Sequence, residues 1–251
     1  MNRLQTLSSV LEPAIRPHAS SSGKAGAGLY SSARGESPCA FFAPLHYEAN
    51  YAYPLLVWLH GPSDDEGQLK RIMPLVSIRN YVGVSLRGSL RMEKQDGRRG
   101  YGWSQTRGDV ALAEQRLFEA VELARRRYNI APERVFLAGF DCGGTMAFRL
   151  AMNHPSRFRG VLSLCGGFPT GRRPLWRLAE ARRLPLFLAT GRDSAKYKEA
   201  DACEDLKLIH SAGMSISLRQ YPCGHQITSL MLSDMDRWMM EQITGTSANT
   251  A

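Results

Sequence analysis

Cysteine is scarce and unpatterned in this chain. Cys39, Cys142, Cys165, Cys203 and Cys223 are odd in number, widely spaced and mostly set within apolar runs. Neither a disulfide framework nor a zinc site is suggested by such spacing, and a reducing compartment is expected. Long apolar stretches are absent too: none approaches the roughly 20 residues needed to span a bilayer. The opening residues, Met1 to Glu12, have no uninterrupted apolar core and no small-residue cleavage site, so the chain is read as soluble and cytoplasmic. Acidic residues are outnumbered, with a net charge of +9 and a pI near 9.6, yet the basic ones are scattered. Arg125 to Arg127 close a helical pattern, where cations favour the macrodipole, and Arg172, Arg173, Arg182 and Arg183 lie in a connecting segment. They form no aromatic-interleaved basic stripe and no nucleic-acid motif, so a nucleic-acid partner is not expected.

What is present is enough apolar material, 43% of 251 residues, to bury one sizeable core. Residues 1–35 are rich in Ser, Ala and Gly and read as a flexible tail, with Leu4, Leu7, Val10 and Leu11 at weak helical spacing. Residues 36–244 form the domain, and 245–251 a second tail. Within the domain, buried strands are expected at Cys39–Pro44, Pro54–Gly61, Tyr81–Leu86, around Val135–Leu137, at Gly160–Gly166, Pro185–Gly191 and Ser215–Tyr221. Helices are expected near 67–76, 108–128, after Asp141, 199–212 and 228–243. This alternation predicts an α/β fold with a doubly wound, mostly parallel sheet covered on both faces. Open sheets of this kind place ligands at the carboxyl ends of their strands. His60 and Gly61 end one such strand. The polar loop from Arg87 to Thr106 follows another, and its aromatic pair Tyr101 and Trp103 is expected to wall a cleft.

The stretch Arg134-Val-Phe-Leu-Ala-Gly-Phe-Asp141-Cys-Gly-Gly organises the rest. Val135, Phe136 and Leu137 suit a buried strand. Gly139, Gly143 and Gly144 remove side chains that would block a tight turn and a close strand–helix approach. This is the pattern of a nucleophile elbow, usually Gly-x-Ser-x-Gly, with aspartate where serine is expected. Asp193 follows a later strand and His225 the last one, so the chain order is elbow, acid, histidine.

The segments Tyr53-Pro-Leu-Leu-Val-Trp-Leu-His-Gly, Gly139-Phe-Asp-Cys-Gly-Gly-Thr-Met-Ala, Asn153-His-Pro-Ser-Arg-Phe-Arg-Gly-Val and Tyr221-Pro-Cys-Gly-His-Gln-Ile carry a resemblance. From about 41 to 243 the chain resembles the phospholipase, carboxylesterase and thioesterase group of α/β-hydrolases and their feruloyl esterase and polyhydroxybutyrate depolymerase-like relatives. The resemblance implies hydrolysis of a small carboxylic ester with no cofactor and no metal. His225 would be the base and Asp193 its orienter. The N–H of Cys142 would be one oxyanion donor, and the residue after His60-Gly61 the other.

Two positions depart from that pattern. Asp141 stands where the serine belongs, and the second oxyanion position is Pro62, which has no N–H. Losing one such donor removes about 3 to 4 kcal/mol of transition-state stabilisation. Alternatives to an impaired esterase are an inactive relative that binds a ligand in the old cleft, and a hydrolase with an aspartate nucleophile. Haloalkane dehalogenases and epoxide hydrolases look similar at the elbow, with Asp-Trp-Gly-Gly, and attack saturated carbon. Those enzymes carry a cap domain, and the connection from Gly167 to Leu184 is too short to be one. The oligomeric state is left open.

Overall fold

The protein is described here from a computed structural model, which covers residues 29–30, 38–93, 97, 99–171 and 174–245. At its centre is β3 (Tyr53–Leu59), whose seven residues are all buried. Leu55, Val57 and Leu59 face one layer of helices, while Leu56 and Trp58 face the other. A strand covered on both sides has no use for polar alternation, which is why its sequence is apolar throughout.

Eight of the described strands make one sheet in the order β1-β2-β4-β3-β7-β8-β9-β10. Its members are β1 (Leu29–Tyr30), β2 (Cys39–Phe42), β4 (Val82–Leu86), β7 (Ile130–Phe140), β8 (Gly160–Leu164), β9 (Leu186–Gly191) and β10 (Ile216–Tyr221), besides β3. The pairs β1–β2 and β2–β4 are antiparallel and the rest parallel. Helices α2 (Arg107–Arg127), α3 (Cys142–Asn153) and α5 (Glu199–Ser211) supply the buried residues of one face, together with a single turn, α4 (Leu178–Ala181). On the other face lie α1 (Gln68–Val76) and α6 (Ser229–Thr244). This is the expected α/β architecture, mostly parallel and covered on both sides.

Register matters most for function. Leu59 is level with Leu86 on one side and Gly139 on the other, Phe140 with Leu164, Leu164 with Ala189, and Gly191 with Tyr221. The segments starting at His60, Asp141, Arg192 and Pro222 therefore all leave the sheet along one edge.

Two segments differ from the sequence reading. The Arg87–Thr106 segment, expected to be an irregular loop, contains an antiparallel ribbon of β5 (Leu90–Glu93) and β6 (Arg99–Gly102). Its strands are short, β5 is mostly exposed, and the buried positions of β6 are Gly100 and Gly102, so no apolar alternation marks them. In addition, β1 lies within the stretch read as a tail, where it pairs with Cys39 and Ala40. The helical spacing at Leu4 to Leu11, and residues 246–251 of the second tail, lie outside the described residues.

Candidate active site

Asp141 has φ 51° and ψ −120°, a conformation that costs a non-glycine residue about 1 to 3 kcal/mol and persists only where surroundings enforce it. Here they do. Its N–H donates to Leu164 O at 2.9 Å, and its carbonyl accepts from Thr145 N–H at 3.0 Å. Close approach of the neighbouring backbone requires glycine at two places: a Cβ on Gly143 would lie 2.3 Å from Leu59 O, and one on Gly166 would lie 2.3 Å from Asp141 O. The strand–turn–helix thus presents residue 141 at the sheet edge whatever its side chain.

The Asp141 carboxylate meets a histidine and a lysine. His225 Nε2 lies 2.7 Å from Oδ2, and Lys196 Nζ donates to the same oxygen at 3.1 Å. The loop after β10 brings His225 in and Phe140 packs against its ring, with centroids 5.5 Å apart. Asp141 and His225 therefore converge.

The orienting acid does not. Asp193 points to solvent, its side chain 62% exposed, and its nearest cation is Arg192 at 3.4 Å. The other nitrogen of the imidazole, His225 Nδ1, is held instead by Ser194 Oγ at 2.8 Å. The cause is the turn after β9. Ser194 N–H donates to Gly191 O at 3.2 Å and Asp193 N–H to Cys223 O at 3.0 Å, which aims residue 194 inward and residue 193 outward. Ser194 is 6% exposed, and its hydroxyl also accepts from Tyr197 N–H at 3.1 Å.

The residues expected to line a cleft divide between support and surface. His60 is fully buried. Gly88 N–H donates to its Nε2 at 2.9 Å, so the neutral ring carries its proton on Nδ1 and donates to Gly61 O at 2.7 Å. Burial pushes the His60 pKa down. Trp103 is buried as well and donates its indole N–H to His60 O at 2.9 Å. Both side chains brace the turn from beneath and are not open to a ligand. Tyr101 is half-buried, with the Arg87 guanidinium over its ring at 4.7 Å. Arg87 in turn donates to the buried Glu66 at 2.7 Å.

On the oxyanion side, Gly61 N–H donates to Gln68 Oε1 at 3.1 Å, an oxygen that also accepts from Trp58 Nε1 at 2.7 Å. Pro62 has no N–H, so neither residue offers an amide to the opening. At Cys142, the first residue of α3, burial pushes the thiol up to about 11, partly offset by the Trp103 and Gly143 N–H groups that face the sulfur. A thiol in that state is a poor nucleophile at neutral pH. Sequence reasoning missed Ser194, Lys196 and Gln68. Ser194 differs from Asp193 by a single step along the chain, and only the turn geometry separates them.

Among the described residues no group of three or more His, Cys, Asp or Glu is placed to hold a metal ion, and no helix is long and apolar enough to cross a membrane. A groove of about 580 Å³ lies along α2 between Leu86, Phe118 and Leu123, away from the residues just described.

Residues 31–220 match the Esterase family. A "Probable carboxylesterase" of Oryza sativa subsp. japonica is 27% identical over 118 residues, which are 46% of this chain and 44% of the relative. A "Probable carboxylesterase SOBER1-like" of Arabidopsis thaliana is 23% identical over 124 residues, 49% of this chain and 47% of the relative. The chain thus spans about half the length of the curated relatives it matches. Among solved structures, the carboxylesterase from Mesorhizobium loti superposes with a TM-score of 0.67 at 16% identity, covering 85% of this chain and 98% of that one. The Bacillus cereus carboxylesterase gives 0.64 at 18%, covering 83% and 96%, a likeness of fold. With a hydrolase elbow at the edge of a mostly parallel sheet and a family match over most of its length, the chain belongs to the Esterase family.

Proposed function

We propose that the protein takes a small carboxylic ester, or a molecule shaped like one, into the opening above α3, and that it does not pass through an acyl-serine intermediate. The observation that carries this reading is the 2.7 Å contact between His225 and the Asp141 carboxylate at the elbow of an esterase frame. Three requirements of ester acylation change together. The attacking hydroxyl is a carboxylate, the histidine has a hydroxyl in place of a carboxylate on Nδ1, and the second oxyanion position is Pro62. A carboxylate that adds to an acyl carbon is also a far better leaving group than the ester's alkoxide. The tetrahedral adduct therefore returns to reactants in preference to the mixed anhydride.

One test uses p-nitrophenyl butyrate on the purified wild type. The expected result is no burst of p-nitrophenolate and no butyryl mass adduct, while p-nitrophenyl butyrate or a non-hydrolysable ketone analogue perturbs the NMR signals of His225. A burst with a trapped acyl group would overturn it, as would the absence of any perturbation at millimolar ester.

A second reading is favoured by the backbone of Asp141, which keeps the strained elbow conformation that presents a side chain for attack. In it, Asp141 displaces a leaving group from saturated carbon, where no collapse to an acyl adduct competes. An alkyl ester on Asp141, found by mass spectrometry in His225→Gln treated with an epoxide or alkyl chloride, would establish this reading in place of the first.

A further inference from the structure

His225 sits in the middle of a hydrogen-bonded line, and each end of that line carries the group a serine hydrolase would place at the other. We propose that Ser194 is the residue that positions His225, in the place a carboxylate takes in a serine hydrolase. The chain then holds the hydroxyl, imidazole and carboxylate of a serine triad with the hydroxyl and carboxylate at exchanged ends. This rests on the same Asp141–His225 site as the function proposed above, but it requires no ligand there.

The direction of the line follows from what each group can donate. An ionised carboxylate only accepts, so the 2.7 Å contact at Asp141 Oδ2 places a proton on His225 Nε2. In the neutral ring Nδ1 is then the acceptor, and its partner at 2.8 Å is Ser194, whose hydroxyl supplies the proton. Ser194 is free to orient that hydrogen because its oxygen is anchored from another side, by Tyr197 N–H at 3.1 Å. Tyr197 itself is fixed by its phenol, which donates to Asp205 at 2.7 Å, and Asp205 also receives Phe168 N–H at 2.6 Å. The order is thus Tyr197 N–H to Ser194, Ser194 O–H to Nδ1, and Nε2–H to Asp141.

In a working serine triad the carboxylate accepts from Nδ1–H, and the Nε2 lone pair faces the nucleophile. Here the ring is in the opposite tautomer, with its lone pair aimed at a buried hydroxyl and its proton facing the opening. Ser194 is no substitute nucleophile, because it is 6% exposed and its oxygen is already engaged by Tyr197. Asp193, the acid implied by resemblance, lies outside the line at 62% exposure.

The experiment compares wild type, Ser194→Ala, Asp141→Ser, the exchange Asp141→Ser/Ser194→Asp, and the control Asp141→Ser/Asp193→Asn. Imidazole ¹⁵N shifts, recorded without ligand at a pH where the ring is neutral, should show Nε2 protonated and Nδ1 accepting in wild type. Ser194→Ala should shift the Nδ1 resonance while Nε2 stays protonated, and the exchange variant should move the proton to Nδ1. With p-nitrophenyl acetate, the exchange should raise kcat above that of Asp141→Ser by about 100-fold or more with KM within about threefold, because an orienting carboxylate is worth up to ~10⁴ in kcat. The Asp193→Asn control should stay within about twofold of Asp141→Ser alone.

The proposal is overturned if the neutral wild-type ring is protonated on Nδ1, if Ser194→Ala leaves both nitrogen shifts unchanged, or if the activity of Asp141→Ser disappears with Asp193. A folded exchange variant with no gain in kcat overturns it as well. Should the exchange variant fail to fold, the ligand-free spectra of wild type and Ser194→Ala decide alone. Because those spectra need no ester, they can stand even if the ligand-binding reading fails.

Discussion

The two walls of the site are held by different means. At the elbow, backbone is packed on backbone: Gly143 abuts the carbonyls of Leu59 and His60, and Gly166 abuts that of Asp141. At the turn after β3, side chains do the holding. Gln68 joins the Trp58 indole to the Gly61 amide, His60 bridges Gly61 and Gly88, and the Trp103 indole caps the His60 carbonyl. A wall built of backbone tolerates an exchanged side chain at its tip, as Asp141 demonstrates, but has no slack for an added methyl. A wall built of side chains accommodates a proline in its backbone, as at Pro62, but depends on each polar partner.

The largest effect that could break this contrast is at Gly143. Its alanine variant would place a Cβ 2.3 Å from Leu59 O and 2.5 Å from His60 O, both unyielding backbone atoms. Gly143→Ala is expected to destabilise the fold by about 3 kcal/mol or more, whereas Asp141→Asn changes it by less than about 1 kcal/mol. Urea unfolding of the two variants side by side would refute the contrast if Asp141→Asn proved the more damaging.

How much of this was legible in the sequence depended on which wall was being read. Glycines at 139, 143 and 144 between an apolar run and a helical pattern signal a tight turn directly, and runs such as Leu55–Leu59 and Leu186–Ala189 announce central strands. Gln68 gave no such signal, since a polar residue at the start of a helix ordinarily faces water. Asp193 and Ser194 are adjacent, and the choice between them is made by two backbone hydrogen bonds, from Ser194 N–H to Gly191 O and from Asp193 N–H to Cys223 O. The β5–β6 ribbon, with β5 mostly exposed and glycines at the buried positions of β6, lacked the apolar alternation by which strands are recognised.

A smaller effect is expected at Gln68. Its buried oxygen serves two buried donors, so Gln68→Leu strands both Trp58 Nε1 and Gly61 N–H. A loss of about 2 to 4 kcal/mol follows from one to three per unsatisfied group, with some relief from relaxation. The blue-shifted tryptophan fluorescence of a buried indole should redden if Trp58 finds water, and an unchanged urea midpoint would show that the side-chain wall is not held as described.

The smallest effect is in pH. Burial lowers the His60 pKa in the folded state, so the unfolded chain binds the proton first as pH falls. Stability from this group is complete above the unfolded value of about 6.5 and declines as pH drops below it, until the folded pKa is reached. His60→Gln should flatten the urea midpoint between about pH 6.5 and 5 relative to wild type. An equal slope in both proteins would place the titration elsewhere.

The packing of Cys142 against the elbow has a use in timing. A maleimide added at neutral pH meets the exposed thiol of Cys203 on α5 at once, while Cys142 is shielded and its thiol raised to about 11. Cys142 is only partly exposed, so label reaches it faster when the first turn of α3 parts from Trp103. Its rate of appearance on a peptide map is therefore a clock for opening of the elbow, with Cys203 as the internal zero.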